Sequence, residues 1–128
     1  MNLNSNVPNA HYDMAHGRPL AIERDGDGST IVRWNIAPEM GIPEGETEEK
    51  QIGWSCTEIR IWCNPTKDNL KKSIIRHYLD ECDEFGIIND FNKFNLGITT
   101  DETARTKYVD FLTFTEEVST IVNSIINR

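Results

Sequence analysis

The residues of this chain that could carry chemistry are few and scattered, and their spacing decides what each can do. Asp25-Gly26-Asp27-Gly28-Ser29 sets oxygen-bearing side chains at alternate positions, as a calcium loop does. Such a loop needs glycine at its sixth position and a bidentate glutamate at its twelfth, where this chain has Thr30 and Ile36. The tetrapeptide therefore reads as a turn, because Asp-Gly pairs supply the positive φ of tight hairpins. His11 and His16 flank Asp13, but a spacing of five on a polar arm matches neither a helix face nor a zinc pattern. His77 has no Ser, Cys or carboxylate at a spacing that would make a nucleophilic pair. The adjacent carboxylates Asp80/Glu81 and Glu116/Glu117 would point about 100° apart on a helix, and so do not share a site. Glycine-rich phosphate loops, His-Glu-x-x-His and nucleophile elbows are missing from the sequence. No residue is assigned to catalysis, cofactor binding or metal ligation, and the chain reads as a non-enzyme.

Cys56, Cys63 and Cys82 make an odd number without a tight pair, which argues against a disulfide framework or a zinc knuckle. They read as small buried hydrophobes. Recognition is better supported. Trp54, Arg60 and Trp62 fall on one face of a regular strand, and large aromatics with arginine are the residue types enriched at protein interfaces.

These side chains need elements to hold them. Residues 1–18 are polar and Asn-rich and read as a mobile arm. A hairpin follows, with strands over 20–24 and 29–36 around the Asp-Gly turn. Alternation in its second strand sets Val32, Trp34 and Ile36 against Ile31, Arg33 and Asn35. Residues 37–50 hold two prolines, two glycines and five glutamates, which predicts an exposed loop. A third strand spans 51–63, with Ser55, Thr57, Ile59, Ile61 and Cys63 opposed to Trp54, Cys56, Glu58, Arg60 and Trp62. Asn64 and Pro65 stop it. A helix then carries Leu70, Ile74, Tyr78 and Cys82 at four-residue spacing, with Asn64 or Thr66 as its cap. Asp83 would cap a shorter helix bearing Ile87, Ile88, Phe91, Phe94 and Leu96, ending at Gly97. Thr99 and Glu102 have capping-box spacing and open a last helix of about 26 residues, or roughly 39 Å. That is longer than a domain of this size needs for itself, so Val118, Ile121 and Ile125 become candidates for a homomeric contact.

Composition bounds the rest. The 128 residues fit a single domain over 19–128 after the arm, with a β part over 19–63 and a helical part over 66–127. The net charge of −8 opposes direct nucleic-acid binding and binding to an anionic membrane. Half of it belongs to residues 37–50, where five glutamates face only Lys50. No apolar run approaches the 18 or so residues of a membrane span, and the N-terminus lacks a secretory pattern.

The segment from Ala21 to Ile36, with its Asp-Gly turn, Ile31 and Trp34-Asn35, resembles the N-terminal hairpin of small phage and prophage accessory proteins from tail-module regions. Residues 54–63, then Asn64-Pro65-Thr66-Lys67-Asp68-Asn69-Leu70 and the helices beyond, resemble uncharacterised phage-like proteins of gut Bacteroides-type bacteria. The resemblance implies a bacterial cytoplasmic or virion-associated setting and a partner in tail or tail-fibre assembly. It carries no catalytic residues.

The expected fold is α+β: a three-stranded antiparallel meander packed with two to three C-terminal helices. The expected function is a non-enzymatic protein-interaction module. A small acidic inhibitor that imitates DNA before a host nucleic-acid-binding enzyme is the alternative.

Overall fold

The computed structural model describes residues 7–126. The last strand ends at Ile61, two residues before the expected Cys63, and after Asn64 and Pro65 the chain divides into two compact units, one running to Pro65 and the other from Thr66. The sequence reading places a single domain from residue 19 onward. Positions 1–6 of the expected arm and position 127 of the expected helical part lie outside the described residues.

The first unit is an antiparallel sheet of four strands, β1 (Ala10–Asp13), β2 (Ile22–Arg24), β3 (Thr30–Gly41) and β4 (Lys50–Ile61), in the order β1-β4-β3-β2. The Asp-Gly hairpin joins β2 to β3 in register Arg24↔Thr30. Asp25 N–H donates to the Ser29 carbonyl at 2.9 Å, and Gly28 takes the positive φ, +92°, that the turn demands. Opposite pairs Val32↔Ile59, Trp34↔Thr57 and Thr30↔Ile61 put the expected apolar sets of β3 and β4 on one face. Val32, Trp34, Thr57 and Ile61 are buried there.

Two expectations for this unit are corrected. The three-stranded meander has a fourth strand, because Ala10–Asp13 of the expected arm pairs with β4 as Ala10↔Cys56 and Tyr12↔Trp54. Its sequence shows no apolar alternation, and the attachment is made by groups that pattern does not report. The Asn9 side-chain amide imitates a strand residue, donating to the Glu58 carbonyl at 3.0 Å and accepting from Glu58 N–H at 2.8 Å. Gly53 lets β1 close in, since a Cβ there would overlap the Tyr12 carbonyl oxygen. The second correction concerns β3, which continues through Ala37 to Gly41 where a loop was expected. A bulge after Trp34, with Asn35 at φ +53°, inserts an extra residue and resets the alternation, so Ala37 rather than Ile36 falls opposite Ser55. Pro38 is tolerated because β2 pairs only with Thr30 to Val32, leaving β3 an edge at that height among the described residues.

The second unit holds α1 (Lys67–Tyr78), α2 (Glu81–Asn95) and α3 (Thr103–Ile126). Thr66 caps α1, its hydroxyl accepting from Asn69 N–H at 3.2 Å, and Leu70, Ile74 and Ile75 are buried. Asp80, not Asp83, caps α2: its carboxylate accepts from Asp83 N–H at 2.8 Å, so the helix opens with a strongly acidic first turn. Gly97, at φ +77°, follows its end as expected. The Thr99 and Glu102 box does not open α3. Asp101 takes that place, accepting from Thr103 N–H at 3.0 Å and from the Thr103 hydroxyl at 2.7 Å. α3 packs against both other helices. Phe91 of α2 stacks on Tyr108 at 4.1 Å between ring centroids, and Tyr78 of α1 meets Phe114 edge-on at 6.0 Å. No residue of α2 is fully buried.

Candidate functional site

The chemically densest place in the sheet lies on the face opposite the apolar one. Arg33 is 2% exposed there, and its guanidinium meets a side chain from each of the other three strands. Nη1 donates to the Glu23 carboxylate of β2 at 2.6 Å and to the Leu20 carbonyl at 3.1 Å. Nη2 donates to the Tyr12 hydroxyl of β1 at 2.8 Å, and Nε to the Glu58 carboxylate of β4 at 3.2 Å. Tyr12 O–H in turn donates to Glu58 at 2.5 Å, and the guanidinium lies 5.0 Å from the Tyr12 ring centre. Burial works against the Arg33 charge, but hydrogen bonds to Glu23, Tyr12 and Glu58 outweigh it and hold its pKa above the ordinary value. Burial, then the hydrogen bond to Glu58, pushes the Tyr12 hydroxyl up. Burial, then the Glu58 charge, pushes the neighbouring Cys56 thiol up as well. A phenol and a thiol held in their protonated forms around an arginine already bonded to three strands are poor bases and nucleophiles. The cluster is suited to tying four strands together.

Sequence reasoning placed Arg33 and Glu58 on their correct faces but missed the cluster. Its signal was one charged residue on the same face of each of three strands, and that emerges only when Arg33↔Glu58 and Glu23↔Ile31 fix the register.

Of the six expected interface residues, Trp62 stands out. Its side chain is 69% exposed, immediately beyond the last β3–β4 pair. Arg60 beside it is committed to the hairpin turn: Nη1 donates to Asp25 at 2.7 Å and Asp27 at 3.4 Å, and to the Ser29 hydroxyl. Its hydrogen bond to Asp25 holds its pKa above the ordinary value. The turn is further tightened by Asp27, which accepts from Ser29 N–H at 2.9 Å and from its hydroxyl, and those bonds lower the Asp27 pKa. Trp54 is half-buried, with the Arg18 guanidinium 5.5 Å from its ring centre. The tryptophans are eight positions apart, roughly 27 Å of strand, so the structure does not bring them together.

The homomeric seam expected at Val118, Ile121 and Ile125 is corrected. Val118 and Ile125 are buried in the chain itself and Ile121 is half-buried, because this stripe is the apolar side of α3 that the fold consumes. Among the cysteines only Cys56 is buried; Cys63 and Cys82 are exposed, contrary to expectation. His11 pairs with Glu39 at 2.8 Å, and His16 lies 4.5 Å from the Tyr12 ring. Among the described residues no group of three His, Cys, Asp or Glu side chains is placed to hold a metal.

Comparison with protein-family models, curated proteins and solved structures finds no match to the chain. Among the described residues no helix is long and apolar enough to cross a membrane.

Proposed function

We propose that the protein is a non-enzymatic protein-interaction module whose sheet unit meets its partner through Trp62. The observation that carries this reading is a large indole left 69% exposed just beyond the end of β4, where Arg60 of that strand clamps the β2–β3 turn through Asp25 and Asp27. A rigid exposed aromatic loses little conformational freedom on binding and buries a large area, which is why tryptophan dominates interface energetics. Arg60 acts here by holding the turn beside the indole. The resemblance of residues 21–36 supports a phage or prophage setting and a tail or tail-fibre component as the partner.

The test is affinity capture from phage-infected cells by the wild-type chain, by Trp62→Ala and by Trp54→Ala, with captured proteins identified by mass spectrometry. One defined virion protein retained by wild type and by Trp54→Ala, and lost with Trp62→Ala, is expected. The same proteins retained by Trp62→Ala would overturn the reading, and so would capture of none.

A further inference from the structure

We infer that the helical unit carries a second docking site, independent of Trp62, for a basic amphipathic helix that seats an apolar side chain in the cleft beside Gly86. The cleft measures about 440 Å³, within the range of sites that take up side chains and small ligands. Leu79 and Ile87 give it apolar walls, Asp83 and Asp90 line it from α2, and Lys107 reaches it from α3.

Gly86 is the residue that folding does not account for. It sits inside α2, where glycine is the poorest helix former after proline. It has no positive φ, and a Cβ there would meet nothing within 4 Å. Neither a turn nor a close packing contact among the described residues needs it. What it does is keep the floor of the cleft low, so that another backbone can come near.

The kind of partner follows from charge and spacing. Glu84 and Glu81 of α2 are engaged by Arg76, at 2.6 and 3.7 Å, whereas Asp83 and Asp90 make no ion pair among the described residues. They are seven residues apart on one helix face, about 10.5 Å along the axis. One small ammonium cannot bridge that distance. Two lysines seven residues apart on a helix lying alongside α2 match it, with the apolar residue between them directed at Gly86 and Ile87. α2 has surface to offer, since it buries no residue fully.

The probe is a capped helical peptide of Ala, Leu and Lys, with leucine flanked by lysines seven residues apart, titrated against the full chain by fluorescence anisotropy. Wild type should bind it, more weakly as salt rises. Gly86→Leu should weaken binding about tenfold or more while leaving the helical circular dichroism and Tm intact or improved. Asp83→Asn/Asp90→Asn should weaken it by a similar factor and flatten the salt dependence. Trp62→Ala and the loop variant Glu46→Gln/Glu48→Gln should bind as wild type does.

Four outcomes overturn the inference. The first is no binding by wild type, and the second is undiminished binding by Gly86→Leu together with Asp83→Asn/Asp90→Asn. The third is equal binding of a leucine-free peptide of the same charge, or of spermidine. The fourth is self-association in sedimentation that Gly86→Leu abolishes, which would assign the cleft to a second copy.

Discussion

Arg33 ties the sheet together across its width, because it is a charge held away from water with an acceptor on each of the other three strands. Its removal would take one donor from each of Glu58, Glu23 and the Tyr12 hydroxyl, leaving Glu58, among the described residues, only the Tyr12 O–H. The two carboxylates left behind are 43% and 29% exposed and can turn to water, so the loss is that of unsatisfied hydrogen-bonding groups, about 1–3 kcal/mol. Arg33→Met, which keeps the length of the side chain, should lose about that much in urea denaturation, and Tyr12→Phe only about 1 kcal/mol. A loss under about 1 kcal/mol for Arg33→Met would mean that the cluster does not hold the strands. Thr57 presents the opposite case. It is 2% exposed and its hydroxyl has no hydrogen-bond partner among the described residues, so Thr57→Val, nearly the same shape, should raise stability by about 1 kcal/mol, read as a higher urea midpoint at unchanged slope. Strand alternation made the faces of Arg33 and Thr57 legible. It could not show that one meets a side chain on three strands and the other none, among the described residues, since that depends on which strands lie across from them.

At the scale of elements, the sequence was most readable where a period ran unbroken. Leu70, Ile74 and Tyr78 of the α1 repeat, the Gly97 stop after α2 and the Asp25-Gly-Asp-Gly turn appear where expected, whereas α1 ends at Tyr78 and the fourth member of its repeat, Cys82, falls in α2. Reading broke down where a single residue changed the geometry. Asn35, by taking φ +53°, shifts the phase of β3 by one and carries the strand into a stretch whose prolines and glutamates look like loop. β1 escaped notice because it depends on an absence, the missing side chain of Gly53, and on an amide in Asn9 that serves as backbone. Gly53→Ala should therefore detach β1 selectively. Amide exchange over Ala10 to Asp13 should speed up by an order of magnitude or more, while Val32 and Ile59 stay protected; a uniform loss of protection would show that β1 is not a separable element.

For the molecule as a whole, the three tryptophans report three environments: Trp34 is 3% exposed, Trp54 half-buried under Arg18 and Trp62 69% exposed. Acrylamide should quench one third or so of the native fluorescence readily, with a red-shifted component that disappears in Trp62→Ala; an unchanged quenching curve would contradict the exposure on which the interaction reading rests. The net charge of −8 is just as unevenly held, half of it in residues 37–50. The place of the division after Pro65 was legible, since the strand period gives way to the helical one across Asn64 and Pro65; that the two parts form separate compact units was not, because neither composition nor charge changes there. Pro38 has a consequence on this scale too. An exposed strand edge invites identical chains to add to it, one hydrogen bond at a time, until a fibril grows. At Pro38 an arriving strand finds no N–H to pair with, and two residues earlier the Ile36 carbonyl is already met by Arg18. The long β3 can thus stay uncovered at high concentration without acting as a seed.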